Sequence, residues 1–159
     1  MYLTTADWKR MLDSAGAILA ENAELLSKID AQTGDGDHGI TVGKIAAFLR
    51  ETAAGDETGL RALFEDLGSG IMSIPGGSAG PLYGTFFGGF AEGVPEGGCG
   101  EADLKAMVQA AYEEFASISG AKVGDKTMMD AHIPANEAIQ TASGTPAEIL
   151  RAGADAAKK

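Results

Sequence analysis

The chain has 159 residues, enough for one domain that buries roughly 70% of the surface its unfolded form exposes. Its 12 basic and 23 acidic residues give a net charge of −11, which argues against a nucleic-acid groove or an anionic membrane as partner but not against a small phosphorylated ligand held through a metal. A single cysteine, Cys99, excludes a disulfide framework and a cysteine zinc site, and no apolar run approaches the ~18 residues of a membrane span.

Thr4 to Ile29 reads as a long amphipathic helix. Trp8, Met11, Leu12, Ala15, Leu19, Leu26 and Ile29 fall at helical spacing, and Thr4 with Asp7 makes a capping-box signature. A second helix is expected over Ile40 to Glu51, with a loop at Ala53-Ala54-Gly55-Asp56. Leu60, Leu63, Phe64, Leu67 and Ile71 mark a third. The fourth, Gly80 to Phe90, is unusual because Gly76, Gly80, Gly84 and Gly88 recur every four residues. Each glycine inside a helix costs ~1 kcal/mol against alanine, so a neighbour must approach this face closely. Contact with another helix is the preferred reading for Gly84 and Gly88. Ala91 to Gly100 is expected as a loop, followed by a fifth helix carrying Leu104, Met107, Val108, Ala111, Tyr112 and Phe115. Ser119 to Lys126 is a second polar loop. Thr127 to Ala142 is expected as a sixth helix, kinked near Pro134. Thr145-Pro146-Ala147-Glu148 opens a seventh, with Thr as cap, Pro in the first turn and Glu closing the box. No useful strand alternation appears. The expected fold class is therefore all-α, an antiparallel helical bundle with short loops, as a single domain over residues 1–159. The first ten residues hold no apolar signal-peptide core, so the expected compartment is the cytoplasm.

Glycine makes up 23 of the 159 residues, against a usual ~7%, and it clusters where chemistry is expected. The strongest pattern is Asp30, Asp35 and Asp37, spaced D-x4-D-x-D, followed by His38 and Gly39. Three carboxylates packed together repel one another unless a cation joins them, and an all-oxygen donor set suits a hard ion such as Mg²⁺. Intervening glycines permit the sharp turn. Each aspartate alone has a plainer reading, with Asp37 as a helix cap and Asp30 as a solvated charge. It is not an EF-hand, because the bidentate glutamate is missing. The second pattern, Gly76-Gly77-Ser78-Ala79-Gly80 at a helix start, can offer backbone N–H groups to a phosphate or serve only close helix packing. The third, Gly120 to Asp130, is a loop feeding a helix. Its two lysines could reach phosphate, or it is a solvated charged turn. Gly39 to Ile45 faintly imitates a P-loop, but it is one residue short and has Ile45 where a hydroxyl should bind Mg²⁺.

Taken together, the three segments resemble the nucleotide-binding L subunit of dihydroxyacetone kinase. The resemblance rests on Asp30…Gly34-Asp35-Gly36-Asp37-His38-Gly39, on Gly76-Gly77-Ser78-Ala79-Gly80-Pro81-Leu82-Tyr83-Gly84, and on Gly120-Ala121-Lys122…Gly124-Asp125-Lys126-Thr127-Met128. The Asp-His-Gly form separates it from the related fatty-acid kinase domains, which usually carry Asp-Thr-Gly. The resemblance implies a barrel of amphipathic antiparallel helices with ADP or ATP and two Mg²⁺ ions at one end. It makes Asp30, Asp35 and Asp37 the metal ligands. It places His38, Gly39 and Thr41 on the nucleotide or its phosphates, Ser78, Ala79 and Gly80 likewise, and Gly120 and Met128 beside the adenine. No residue is assigned as a catalytic base, since phosphoryl transfer needs positioning and charge neutralisation more than a protein nucleophile. The implied partners are a K subunit that holds dihydroxyacetone or a similar small ketose and, in one branch, a phosphotransferase-system protein that rephosphorylates the bound ADP. The family pattern continues into a Gly-Arg-Ala stretch and an Asp-Pro-Gly turn, neither of which occurs before Ala156-Ala157-Lys158-Lys159. A nucleotide-binding regulatory module without turnover, and a structural bundle with an incidental acidic turn, are the alternatives.

Overall fold

The computed structural model describes residues 2–95 and 99–158. Among them are seven α-helices: α1 (Thr5–Asp30), α2 (His38–Ala54), α3 (Leu60–Met72), α4 (Ala79–Glu92), α5 (Glu101–Ser119), α6 (Met129–Thr141) and α7 (Pro146–Ala156). The described residues contain no strand, only a lone antiparallel bridge between Leu3 and Cys99. No described helix is long and apolar enough to cross a membrane. The expected all-α bundle is therefore the fold.

The helix ends follow from local chemistry. Thr4 and Asp7 close the expected capping box on α1, with Asp7 Oδ2 accepting from the Thr4 amide at 2.8 Å. Thr145 and Glu148 do the same on α7, where Pro146 sits in the first turn. The second helix is longer than expected at both ends. It starts at His38, and Ala53 and Ala54 extend it to Gly55, because alanine is the best helix former and the chain breaks only at glycine. The fourth helix likewise takes in Ala91 and Glu92, which the sequence reading gave to a loop. The rest of that expected loop includes residues 96–98, which lie outside the described residues. Pro134 stands inside α6 as expected, so the Asp130 carbonyl loses its i+4 donor.

Successive helices pack against one another along the chain. Leu63, Phe64, Leu67 and Ile71 of α3 belong to the same core cluster as Leu104, Met107 and Ala111 of α5, and Trp8, Phe64 and Phe90 form an aromatic cluster with centroids 5.0 to 5.7 Å apart. For Gly84 and Gly88 the glycine repeat is explained by backbone contact with α3, whereas Gly76 lies before α4 and faces the Thr41 side chain. A Cβ on Gly68 would lie 2.6 Å from Gly88 Cα, and one on Gly84 would lie 2.7 Å from the Met72 amide. Helices α3 and α4 therefore touch backbone to backbone, as expected for Gly84 and Gly88. The antiparallel course brings the ends of α1, α3 and α5 and the starts of α2, α4 and α6 to one end of the bundle. All three glycine-rich segments lie there.

Candidate functional site

The first segment turns between α1 and α2. Asp30 is the last residue of α1, and Asp37 precedes α2. One carboxylate oxygen from each of Asp30, Asp35 and Asp37 lies within 4.8 Å of the others. Asp37 makes no side-chain capping bond, so the plain capping reading fails. Asp30 is half-buried, and Asp35 and Asp37 are exposed. The Asp35 carboxylate, helped by partial desolvation and by Asp30, pushes the Asp37 carboxyl above its ordinary value. These groups are held together against their own repulsion, and their all-oxygen donor set fits a hard divalent cation.

Two neighbouring amides are already committed. His38 N–H donates to Asp30 Oδ2 at 3.3 Å, and Gly39 N–H donates to Ser27 Oγ at 3.2 Å. A side chain on Gly39 would collide with the Ala23 carbonyl, so this glycine is needed for α1 to approach α2. Thr41 is buried, and its Oγ1 faces Gly76 so closely that a Cβ there would overlap it. Lys44 Nζ also donates to the Pro75 carbonyl at 3.2 Å. The glycine loop is thus locked to the start of α2, beside the aspartates.

The start of α4 differs from that of α2. Ser78 makes no side-chain capping bond, and among the described residues nothing accepts from the amides of Gly77, Ser78 or Ala79. Open space surrounds Gly77, whose φ of 30° favours glycine. Free N–H groups at the positive end of a helix dipole are able to receive an anion. Ala79 and Gly80 are buried behind it.

From Ser78 a cleft of about 730 Å³ opens between α4 and the third segment, lined by Met72, Leu82, Ile118 and Met128 among others. That volume suits a small organic ligand. Gly120 ends α5 in the left-handed conformation, with φ 63°, and its neighbours Ser119 and Ala121 line the cleft. Met129, by contrast, is core. The structure therefore joins Ser78 and Met128 in one cleft, with Gly120 at its rim, and ties Thr41 to the glycine loop. The sequence reading missed Ser27, which takes the Gly39 amide, and gave no role to Asp130, the last residue of the third pattern, which accepts from Gly124 N–H at 2.6 Å and Thr127 N–H at 2.9 Å. The Thr127-x-x-Asp130 spacing, a capping-box pattern, was the available signal.

Comparison with known proteins gives this arrangement its context. A family model described as the DAK2 domain matches residues 32–159. The chain belongs to the DAK2 family. As a DAK2 chain it is 33% identical over 135 residues to the Listeria innocua PEP-dependent dihydroxyacetone kinase 1, ADP-binding subunit DhaL, covering 84% of this chain and 68% of that one. It is 34% identical over 137 residues to D-erythrulose kinase of Mycolicibacterium smegmatis, covering 82% of this chain but only 23% of the relative. Its fold matches the crystal structure of the dihydroxyacetone kinase from C. freundii in complex with AMP-PNP and Mg²⁺, with a TM-score of 0.80 and 25% identity. That match covers 99% of this chain and 28% of the other. The DAK2 domain thus occurs both in separate subunits and as a part of longer kinases.

Proposed function

We propose that this chain is the nucleotide-binding, phosphoryl-transferring subunit of a dihydroxyacetone kinase. It would bind ADP or ATP with Mg²⁺ and pass the phosphoryl group to dihydroxyacetone, or a similar small ketose, held on a partner K subunit. The observation that carries this reading is the gathering of three carboxylates, a row of free helix-start amides and an apolar-walled cleft at one end of the bundle. A nucleotide offers matching parts: a metal-bound polyphosphate and a flat base. Asp30, Asp35 and Asp37 would hold the metal, taken as two ions. Mg²⁺ bound there would neutralise charge that develops on the phosphoryl oxygens. The amides of Gly77, Ser78 and Ala79 would orient phosphate oxygens, with Gly80 at their back and the Thr41 hydroxyl beside them. Met128, Leu82 and Ile118 would flank the base, with Gly120 at the rim. His38 and Gly39 would act chiefly by fixing Asp30 and the start of α2, since their amides already have partners. The PEP dependence named for the Listeria innocua relative, and the PTS dependence named for one from Lactococcus lactis, support a donor protein as a second partner.

The test is the thermal midpoint with ADP, with and without Mg²⁺. Ligand at about 100 times its dissociation constant adds roughly 2.7 kcal/mol of stability. A shift that needs both components, and is lost in Asp35→Ala and Asp37→Ala, is the expected result. Equal shifts in wild type and both variants would refute the metal assignment. Binding without transfer to dihydroxyacetone in the presence of a K subunit would favour the regulatory-module reading instead.

A further inference from the structure

We infer that Asp130 is a positioning residue that sets the base-side wall of the nucleotide cleft by clamping the loop between α5 and α6. The inference rests on the nucleotide reading above and adds a residue to it. Asp130 lies in the first turn of α6 and reaches backwards. Its two oxygens are divided: Oδ1 accepts from Gly124 N–H at 2.6 Å, and Oδ2 from Thr127 N–H at 2.9 Å. Thr127 Oγ1 in turn accepts from Met129 N–H at 3.2 Å. A simple capping box would need only the Thr127 half of this arrangement. The Gly124 half spans six residues and closes the loop on itself.

The loop needs such a closure. Gly120, Gly124 and Lys126 all have left-handed backbone, with φ of 63°, 98° and 59°. Lys126 has a side chain and is disfavoured there. No side-chain packing holds Gly120 or Gly124, since nothing lies within 4 Å of where a Cβ would stand on either, and the loop's other bonds are local: Gly120 N–H to the Ala116 carbonyl at 3.2 Å, and the Lys122–Asp125 pair at 2.8 and 3.1 Å. The loop's two ends, Ala121 on one side and Thr127 with Met128 on the other, form the cleft wall opposite Leu82. The carboxyl is suited to the task. The Gly124 and Thr127 amides, with the Lys126 amide adding to them, hold it below its ordinary value, so it is ionised at neutral pH and its bonds are charge-assisted. The clamp stands on the base side of the cleft. The anion site at Gly77 to Ala79 belongs to α4 and does not depend on it.

That separation gives the experiment. Affinities of wild type, Asp130→Ala and the near-isosteric Asp130→Asn are measured for two probes, ADP with Mg²⁺ and pyrophosphate with Mg²⁺, alongside the ligand-free thermal midpoint. Asp130→Ala is expected to weaken ADP roughly tenfold or more, the effect of losing one or two charge-assisted bonds, while leaving pyrophosphate unchanged. Asp130→Asn, which keeps one acceptor oxygen, should give an intermediate loss. If both probes weaken equally, or neither does, the positioning role is wrong. If Asp130→Ala fails to fold, Asp130→Asn carries the same comparison. If wild type binds pyrophosphate with Mg²⁺ but not ADP, the nucleotide reading itself falls, and the clamp's role falls with it for a reason visible in the wild-type data alone.

Discussion

At the scale of single residues, the aspartate trio holds like charges together at a cost to the ligand-free fold. Asp37 is raised above its ordinary value, chiefly by the Asp35 carboxylate. The sign follows from linkage: a carboxyl harder to ionise in the folded than in the unfolded chain penalises the fold once it is charged. The ligand-free protein should therefore lose some stability as pH rises through and above 3.8, the group's ordinary value. Replacing Asp37 with Asn removes one charge and keeps the shape. The ligand-free thermal midpoint at pH 7 should rise by a small amount, and any Mg²⁺-dependent gain should disappear. A lower midpoint in Asp37→Asn would mean that the three carboxylates do not strain one another. The convergence of the trio was legible in the sequence because three carboxylates at short spacing, with glycines that permit a sharp turn between them, can meet at one point. The partners of His38 and Gly39 were not legible. Ser27 lies twelve residues before Gly39, and only the packing of α1 on α2 brings them together.

At the scale of elements, the helices and two of their caps could be read from periodicity and from the Thr-x-x-Asp and Thr-x-x-Glu patterns. The ends of α2 and α4 could not be read so well, because alanine next to glycine leaves the stopping point to packing. The glycine repeat on α4 could be read only as a need for close approach, and its partner, Gly68 on α3, came from the structure. That contact has a measurable cost. In Gly68→Ala the new methyl would stand 2.6 Å from Gly88 Cα and 3.1 Å from the Gly84 carbonyl oxygen. Backbone cannot step aside as a side chain can, so α3 and α4 must separate. Overpacking of this kind costs about 1–3 kcal/mol, against the ~1 kcal/mol that alanine gains as a helix former. Urea unfolding should show a net loss. Stability equal to wild type or higher would show that the helices can part freely. Gly77→Ala makes the contrast: it has space around it, and its penalty is conformational.

At the scale of the whole molecule, the same antiparallel course that builds the core also builds the site. Three helix starts, those of α2, α4 and α6, lie at one end, but so do the ends of α1, α3 and α5, whose opposite dipoles offset them, so on a chain of net charge −11 positive character there is confined to the individual helix-start amides. The middle of the bundle carries a different device. His132 of α6 lies between Phe86 of α4 and Phe115 of α5, with ring centroids 4.7 and 4.8 Å away, so it joins three helices. Burial there pushes its imidazole below its ordinary value of 6.5. In the unfolded chain the ring takes up a proton near that value, while in the folded chain it resists until lower pH. Global stability should therefore be insensitive to this group above pH 6.5. It should fall as pH drops from there towards the depressed folded value, with a slope of at most about 1.4 kcal/mol per pH unit for one proton. Acid loss from the capping carboxylates is separable from this. Asp7, Asp130 and Glu148 are held below their ordinary values of 3.8, 3.8 and 4.5, so their contribution is kept above those values and lost only below them. Urea unfolding of wild type and His132→Leu across this range distinguishes the two. The variant should lose the decline that begins at pH 6.5 and keep the one at lower pH. A decline that persists unchanged in His132→Leu would mean that the imidazole is hydrated in the folded protein, and that α4, α5 and α6 meet less tightly than the ring distances require.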